Sequence, residues 1–294
     1  MHHARHFVTC LWVALFLTLG LAQAGWAHQP VMDMAPRWKG GYGIQVRHTW
    51  RESDRLKGGD SKVGNPSGRD KRVNTTWIEG VYTFTRAKRV TFKVPWIDQS
   101  RTILQNGAPV RQTGQGWGDL ILGVPLKLYR NRGGMTDNFG FTPSLRIPTG
   151  STSDRFPVGD GSTDFGFSLS YSQERAKLYQ FYDFFYWANT RGDKGIAEGD
   201  ELGLDVNIGL HPYHSNETNS GIFLMWDVST RYEDRGVDTG GTTGGTRIST
   251  GPVFVWYRGN IMFRAEYKIP AYEHVSGTQV SFGPELNIGL GITF

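Results

Sequence analysis

The C-terminal stretch VSFGPELNIGLGITF, Val280 to Phe294, alternates with a period of two. Val280, Phe282, Leu286, Ile288, Leu290, Ile292 and Phe294 share one parity, with Pro284 as the small exception. Ser281, Gly283, Glu285, Asn287, Gly289, Gly291 and Thr293 share the other. Successive side chains of a strand point to opposite faces, so the stretch reads as a strand with one apolar face and one small, polar face. A soluble sandwich would dress its polar face in Lys, Glu and Thr. A face of Gly, Ser and Asn with an occasional charge suits the crowded interior of a closed barrel whose outside meets lipid.

The same pattern recurs upstream. Leu202, Leu204, Val206, Ile208 and Leu210 alternate with Gly203, Asp205, Asn207 and Gly209. Phe165, Phe167, Leu169 and Tyr171 alternate with small and polar residues, and Leu120, Leu122, Val124, Leu126 and Leu128 alternate with Asp119, Ile121, Gly123, Pro125 and Lys127. The periodicity predicts strands near 40–53, 73–85, 90–97, 118–129, 139–147, 164–173, 177–189, 202–212, 221–232, 247–257, 261–272 and 280–294. The expected fold is all-β, a transmembrane antiparallel β-barrel of about twelve strands, the even number found in single-chain bacterial barrels.

The connections support this independently. Those at 54–72, 98–117, 148–163, 190–201 and 233–246 read as long and rich in Gly, Asp, Ser, Thr and Arg. The intervening ones, 86–89, 130–138, 174–176, 213–220 and 258–260, read as shorter. Alternation of long extracellular loops with short periplasmic turns is a barrel property, and it puts both termini on the periplasmic side. Tyr42, Trp50, Trp96, Tyr129, Tyr171, Trp187, Tyr232, Tyr257 and Tyr272 stand near predicted strand ends, where interfacial girdles form. Pro95, Pro125, Pro143, Pro252, Pro270 and Pro284 fall in or near strands and require bulges or rims.

The N-terminus reads as a secretory signal. Arg5 precedes the apolar run FVTCLWVALFLTLGLA (7–22), with plausible cleavage after Ala24 or Ala27. The expected organisation is a signal peptide at 1–27, a periplasmic segment at 28–39 and the barrel at 40–294. Cys10, the single cysteine, lies inside the signal, so a cleaved chain has neither a disulfide framework nor thiolate chemistry. The formal charge of +5 comes from Lys and Arg scattered among Asp and Glu, which gives no support to nucleic-acid binding. Mean hydropathy is −0.41 and no second long apolar run exists, so a helical membrane protein is excluded. Aromatic content of 13% with 39 glycines fits an all-β chain with many turns.

Three segments carry a family likeness: GQGWGDLILGVPLKLYRN (114–131), FGFTPSLRIPTG (139–150) and GDGSTDFGFSLSYSQE (159–174). They show a G-x-G-D-x-x-L-G strand opening, a strand ending in P-T-G, and a third segment ending in T-D-F. In this the chain resembles the outer-membrane family labelled for the MetA pathway of phenol degradation. The resemblance implies passage of small, often aromatic or hydrophobic compounds across the outer membrane. It brings no catalytic residue with it. Many outer-membrane barrels close on a terminal phenylalanine resembling Phe294, the signal read by the barrel-assembly machinery.

On the inward parity the expected lumen-lining set is Arg47, Glu79, Lys93, Asp119, Lys127, Arg146, Asp164, Asp205, Asn207, Arg231, Arg264, Glu266, Lys268, Glu285 and Asn287. Both signs of charge occur, so either a charge-selective constriction or cross-strand pairs filling a narrow barrel would account for them. Glycines assigned inward (Gly43, Gly80, Gly123, Gly140, Gly166, Gly203, Gly209, Gly289) remove side-chain volume and favour an opening. The expected function is a passive channel or transporter for small molecules, non-enzymatic and without cofactor. Its expected setting is the Gram-negative outer membrane, with lipid, lipopolysaccharide, the assembly machinery and a small solute as partners. A phospholipase-like hydrolase is the rival, and its one close His/Ser cluster, His211-Pro-Tyr-His214-Ser215, falls in a predicted periplasmic turn. A closed structural barrel with interaction loops is the third reading. Copper binding by His28, Met32 and Met34 is a minor one beside a plain tether, and the 239–246 run TGGTTGGT lacks a P-loop lysine.

Overall fold

A computed structural model of the chain describes residues 36, 38–153, 156–195, 197–236 and 243–294. The expected signal peptide, the copper-binding residues and most of the periplasmic segment lie outside the described residues. So does part of the 239–246 run.

Among the described residues sixteen strands form one antiparallel sheet: β1 Tyr42–Ser53, β2 Leu56–Gly59, β3 Ser61–Val63, β4 Lys71–Thr85, β5 Lys88–Gln105, β6 Ala108–Trp117, β7 Leu120–Gly123, β8 Leu126–Arg132, β9 Met135–Ile147, β10 Asp164–Arg175, β11 Leu178–Ala188, β12 Glu201–Ser215, β13 Ser220–Glu233, β14 Gly245–Arg258, β15 Ile261–Val280 and β16 Glu285–Thr293. β6, β7 and β8 follow one another along β5 and make a single stave. β2 and β3 form a small hairpin attached to the far end of β15. Twelve staves therefore close into a barrel. The seam joins β1 to β16, with Gly43 opposite Thr293 and Arg51 opposite Glu285. Tyr42 and Phe294 exchange both backbone hydrogen bonds at its end.

Alternation sorts the side chains as the sequence predicts along β16: Leu286 and Leu290 are exposed outward, while Asn287, Gly289, Gly291 and Thr293 are buried inside. The outward face is an apolar belt, from Ile44, Val46 and Trp50 on β1 to Leu224, Trp226 and Tyr232 on β13, which in water would be an unprotected patch. Along 119–129 the alternation survives the break between β7 and β8, where Pro125 supplies no donor and its carbonyl accepts from Arg89. Pro95 faces the break between β6 and β7, and Gly118 donates to its carbonyl. Pro270 adjoins the β14–β15 register shift, and Pro284 lies in the turn before β16. Pro143 and Pro252 sit within paired strands.

Several expectations require correction. The segment 98–117 is no loop. β5 runs on to Gln105 and returns as β6 through Asn106 and Gly107, whose φ values of 53° and 81° make the left-handed pair favoured in two-residue hairpins. β15 likewise extends to Val280, so the last strand starts at Glu285 rather than at 280. Gly283 has φ 77° and breaks the alternation there, which turns Phe282 away from the lipid parity. Gly80 faces outward, beneath the Phe92 ring, because its neighbour Glu79 takes the inward parity. Three of the nine girdle aromatics point inward: Tyr129 stacks under Arg86, Trp187 under Arg146, and Tyr257 is buried among Phe223 and His211.

Pro36, just before β1, is buried, and its carbonyl accepts from the inward Thr83 hydroxyl at 3.0 Å. The chain therefore touches the inner wall before the first strand begins.

Candidate functional site

The inner wall of β12–β16 carries a buried charge network. Lys268 Nζ lies 2.8 Å from Asp227 Oδ1 and 3.0 Å from Glu266 Oε1. Arg264 reaches the other Glu266 oxygen at 3.1 Å. Ser229 and Asn207 each donate to Asp227 at 2.7 Å. Asp227, Glu266, Ser229 and Asn207 are buried and the two cations partly so, and burial at such a level requires the carboxylates to be paired and hydrogen-bonded. On the adjoining wall Arg47 pairs with Glu79 at 2.8 Å, and Gln45 donates to the same carboxylate.

Two further pairs stand nearer the long-loop end. Arg231 forks onto both oxygens of Asp205 at 2.8 and 2.9 Å while its guanidinium stacks on Phe185. Arg146 binds Asp164 at 3.1 Å and lies over the Trp187 ring. Asp119 accepts from the Gly150 amide at 2.8 Å, and Lys127 donates to Ser170 at 3.0 Å. Lys93 shares the inward parity of its register partner Glu79, yet it is exposed. Side chains thus fill the β12–β16 wall, while the β5–β11 wall keeps solvent against Lys93 and partly against Lys127 and Asp183.

Fourteen of the fifteen residues singled out in the sequence stand on strands at the inward parity and Asp119 lies in the break between β6 and β7, but they do not form one constriction. Arg264, Glu266 and Lys268 join one network with Asn207. Arg47 and Glu79, Asp205 and Arg231, and Arg146 and Asp164 make separate pairs. Lys93 and Glu285 form no ion pair among the described residues. Sequence reasoning missed Asp227, the centre of the network, and Asp183, which faces Asp205 across β11 and β12. The parity of each was readable: Asp227 falls two residues before Ser229 and four before Arg231.

It also missed an apolar patch inside the barrel at the short-turn end. Tyr179, Phe223, Met225, Val253, Val255, Tyr257 and Met262 pack together there, with Phe181 against them. The signal was present in runs such as IFLMW (222–226) and VFVWY (253–257), where both parities are apolar. His211 stacks on Phe223 at 3.9 Å and 10° between planes, and the Tyr257 hydroxyl lies 3.1 Å from His214 Nδ1. His214 Nε2 contacts Asn216 at 2.6 Å, and Ser215 Oγ accepts from the Thr218 amide in the turn. The histidines are thus tied to ring packing and turn closure rather than to a serine nucleophile. His48 faces outward against Trp50 and the Thr76 hydroxyl.

At the long-loop mouth a cavity of about 330 Å³ is lined by Arg51, Lys71, Glu201, Glu233, Arg247 and Phe282, among others. Glu198, in the connection between β11 and β12, stands in the same rim. Removal from water, with repulsion from Asp160 and Glu201, pushes its carboxyl up to about 7 although part of the residue is open to solvent.

Against solved structures, the chain is similar to an outer membrane channel from Pseudomonas putida F1, with TM-score 0.69 and 14% identity over 90% of this chain and 99% of that one. It is more distantly similar to the β domain of a Bordetella autotransporter, with TM-score 0.45 and 11% identity over 87% and 100%. A Pseudomonas aeruginosa FadL homologue matches with TM-score 0.42 and 7% identity over 87% and 90%. No curated protein matches. The fold is that of Gram-negative outer-membrane barrels, which sets its outward belt in lipid. The family model described as "Putative MetA-pathway of phenol degradation" matches residues 70–283, most of the barrel, and the chain belongs to that family.

Proposed function

We propose that the protein is a passive outer-membrane channel for small molecules, aromatic or hydrophobic solutes among them. The observation that carries this reading is Lys93, a charged residue on the inner wall that keeps its exposure to solvent. A barrel filled solely for stability would bury such a group against a partner, as it does Lys268. A closed ring with polar and apolar sectors of inner wall suits solutes having both characters. The likeness to a protein described as an outer membrane channel and the family's name agree with it.

A cleaved signal peptide at 1–27 and insertion by the barrel-assembly machinery, beside lipopolysaccharide, belong to the same reading. So does the absence of an enzymatic role, since the His211–His214 cluster is committed to packing. Proteoliposomes containing the purified barrel test the proposal. Conductance and solute uptake above empty vesicles are expected, and neither above background would refute it.

A further inference from the structure

The cavity at the long-loop mouth has cations and acids in its lining, and they are not equivalent. Each acid is already engaged. Glu273 accepts from the Ser281 hydroxyl at 2.6 Å and from the Phe282 amide at 2.7 Å, one bond on each oxygen. Glu201 lies 3.7 Å from Arg146, and Glu233 accepts from the Gly244 amide. Arg51, Lys71 and Arg247, by contrast, form no ion pair among the described residues. Glu285 stands opposite Arg51 in the seam register but does not pair with it.

What holds the two arginines is an aromatic ring. Arg51 Cζ lies 4.0 Å and Arg247 Cζ 3.3 Å from the centre of Phe282. That ring is fixed in turn by the bond from its own amide to Glu273 and by the left-handed turn at Gly283. Stacking orders a guanidinium without using its N–H donors, so two pre-set forks remain open to an acceptor. Lys71 adds a third positive charge, and Phe282, Val275 and Val280 supply apolar wall. The volume is within the range of small-ligand sites.

We infer that this cavity is a binding station for a small organic carboxylate, which Arg51 and Arg247 grip by its oxygens while Val280 and the edge of the Phe282 ring border its apolar body. The inference rests on the channel reading for its biological purpose: the station captures solute at the entrance and raises its concentration above the lumen. Planar carboxylates match paired guanidinium donors better than spherical ions do.

Calorimetric titration of the full barrel in detergent micelles tests it, with benzoate and its uncharged counterpart benzyl alcohol as probes. Benzoate should bind saturably at one site, at least about tenfold tighter than benzyl alcohol, the worth of roughly one charged hydrogen bond. Arg51→Gln with Arg247→Gln should abolish that preference, and the corresponding double lysine variant should restore part of it. Glu201→Gln should tighten benzoate by removing a competing negative charge. Equal affinity for the two probes would overturn the inference, as would parent-like benzoate binding by a folded double glutamine variant. Should that variant fail to fold, Lys71→Gln at the exposed start of β4 asks the same question, and unchanged benzoate affinity there would also overturn it. Binding in micelles needs no passage. A barrel that binds benzoate yet conducts nothing sinks the channel and keeps the station, whereas a conducting barrel indifferent to benzoate does the reverse.

Discussion

Lys268 on β15 reaches across the whole width of β14 to Asp227 on β13, closing to 2.8 Å. The residue of β14 in register with Asp227 is Gly251, so no side chain stands in the way. Replacing Lys268 by Met would leave Asp227 and Glu266 buried without their shared cation. We expect a loss of about 3 kcal/mol in urea unfolding of the detergent-solubilised barrel, and partial recovery when Asp227→Asn is added. An unchanged midpoint for the single variant would show that the network holds no uncompensated charge.

Gly251 itself should tolerate nothing larger. A Cβ there would overlap the Tyr267 carbonyl oxygen and crowd the Lys268 backbone. Since backbone cannot swing aside as a side chain can, Gly251→Ala should displace β14 from β15. The folded fraction, read from the mobility difference between unheated and boiled samples on gels, should fall sharply.

Phe223 is 1% exposed and stacked on His211. Phe223→Ala should cost about 3–5 kcal/mol, the usual penalty for emptying such a site. If the apolar patch narrows the path, the same variant should also raise single-channel conductance in planar bilayers.

Glu198 gives the rim a titration near neutrality. Its folded-state carboxyl is raised to about 7 from an ordinary 4.5, so the folded barrel holds this proton more tightly than the unfolded chain does. The corresponding stability is fully present below the ordinary value and is lost as pH climbs through about 7. The unfolding midpoint should therefore decline between pH 5 and pH 8 (about the interval separating the two states) by less in Glu198→Gln than in the parent.

The period-two pattern made the staves legible wherever one face met lipid and the other did not. Leu120 to Leu128 sorted correctly even across the Pro125 break. Where that contrast vanished, so did legibility. The projecting hairpin of β5 and β6 carries polar residues on both faces because it owes nothing to lipid, and it looked like loop. Phe223 and Val255 were overlooked because both parities of their strands are apolar. Tyr129, Trp187 and Tyr257 have the residue type of a girdle, but parity along their strands decides their direction. Periodicity alone puts the ring of Phe282 on the lipid side, because it carries the strand through Gly283, where the backbone turns. Arg264, Glu266 and Lys268 pair at a spacing of two along β15, but Arg47–Glu79, Asp205–Arg231 and Lys268–Asp227 cross between staves, and no spacing within one strand encodes those.

The seam where Gly43 meets Thr293 has a consequence for how the protein is made. Its two halves lie at opposite ends of the barrel sequence, so the first stave leaves the ribosome long before its mate exists. Any shorter product has two bare edges, each a template for pairing with the wrong chain. Closure of the ring thus waits until both β1 and β16 are present, which makes the seam a contact of high sequence separation and the slowest kind to form.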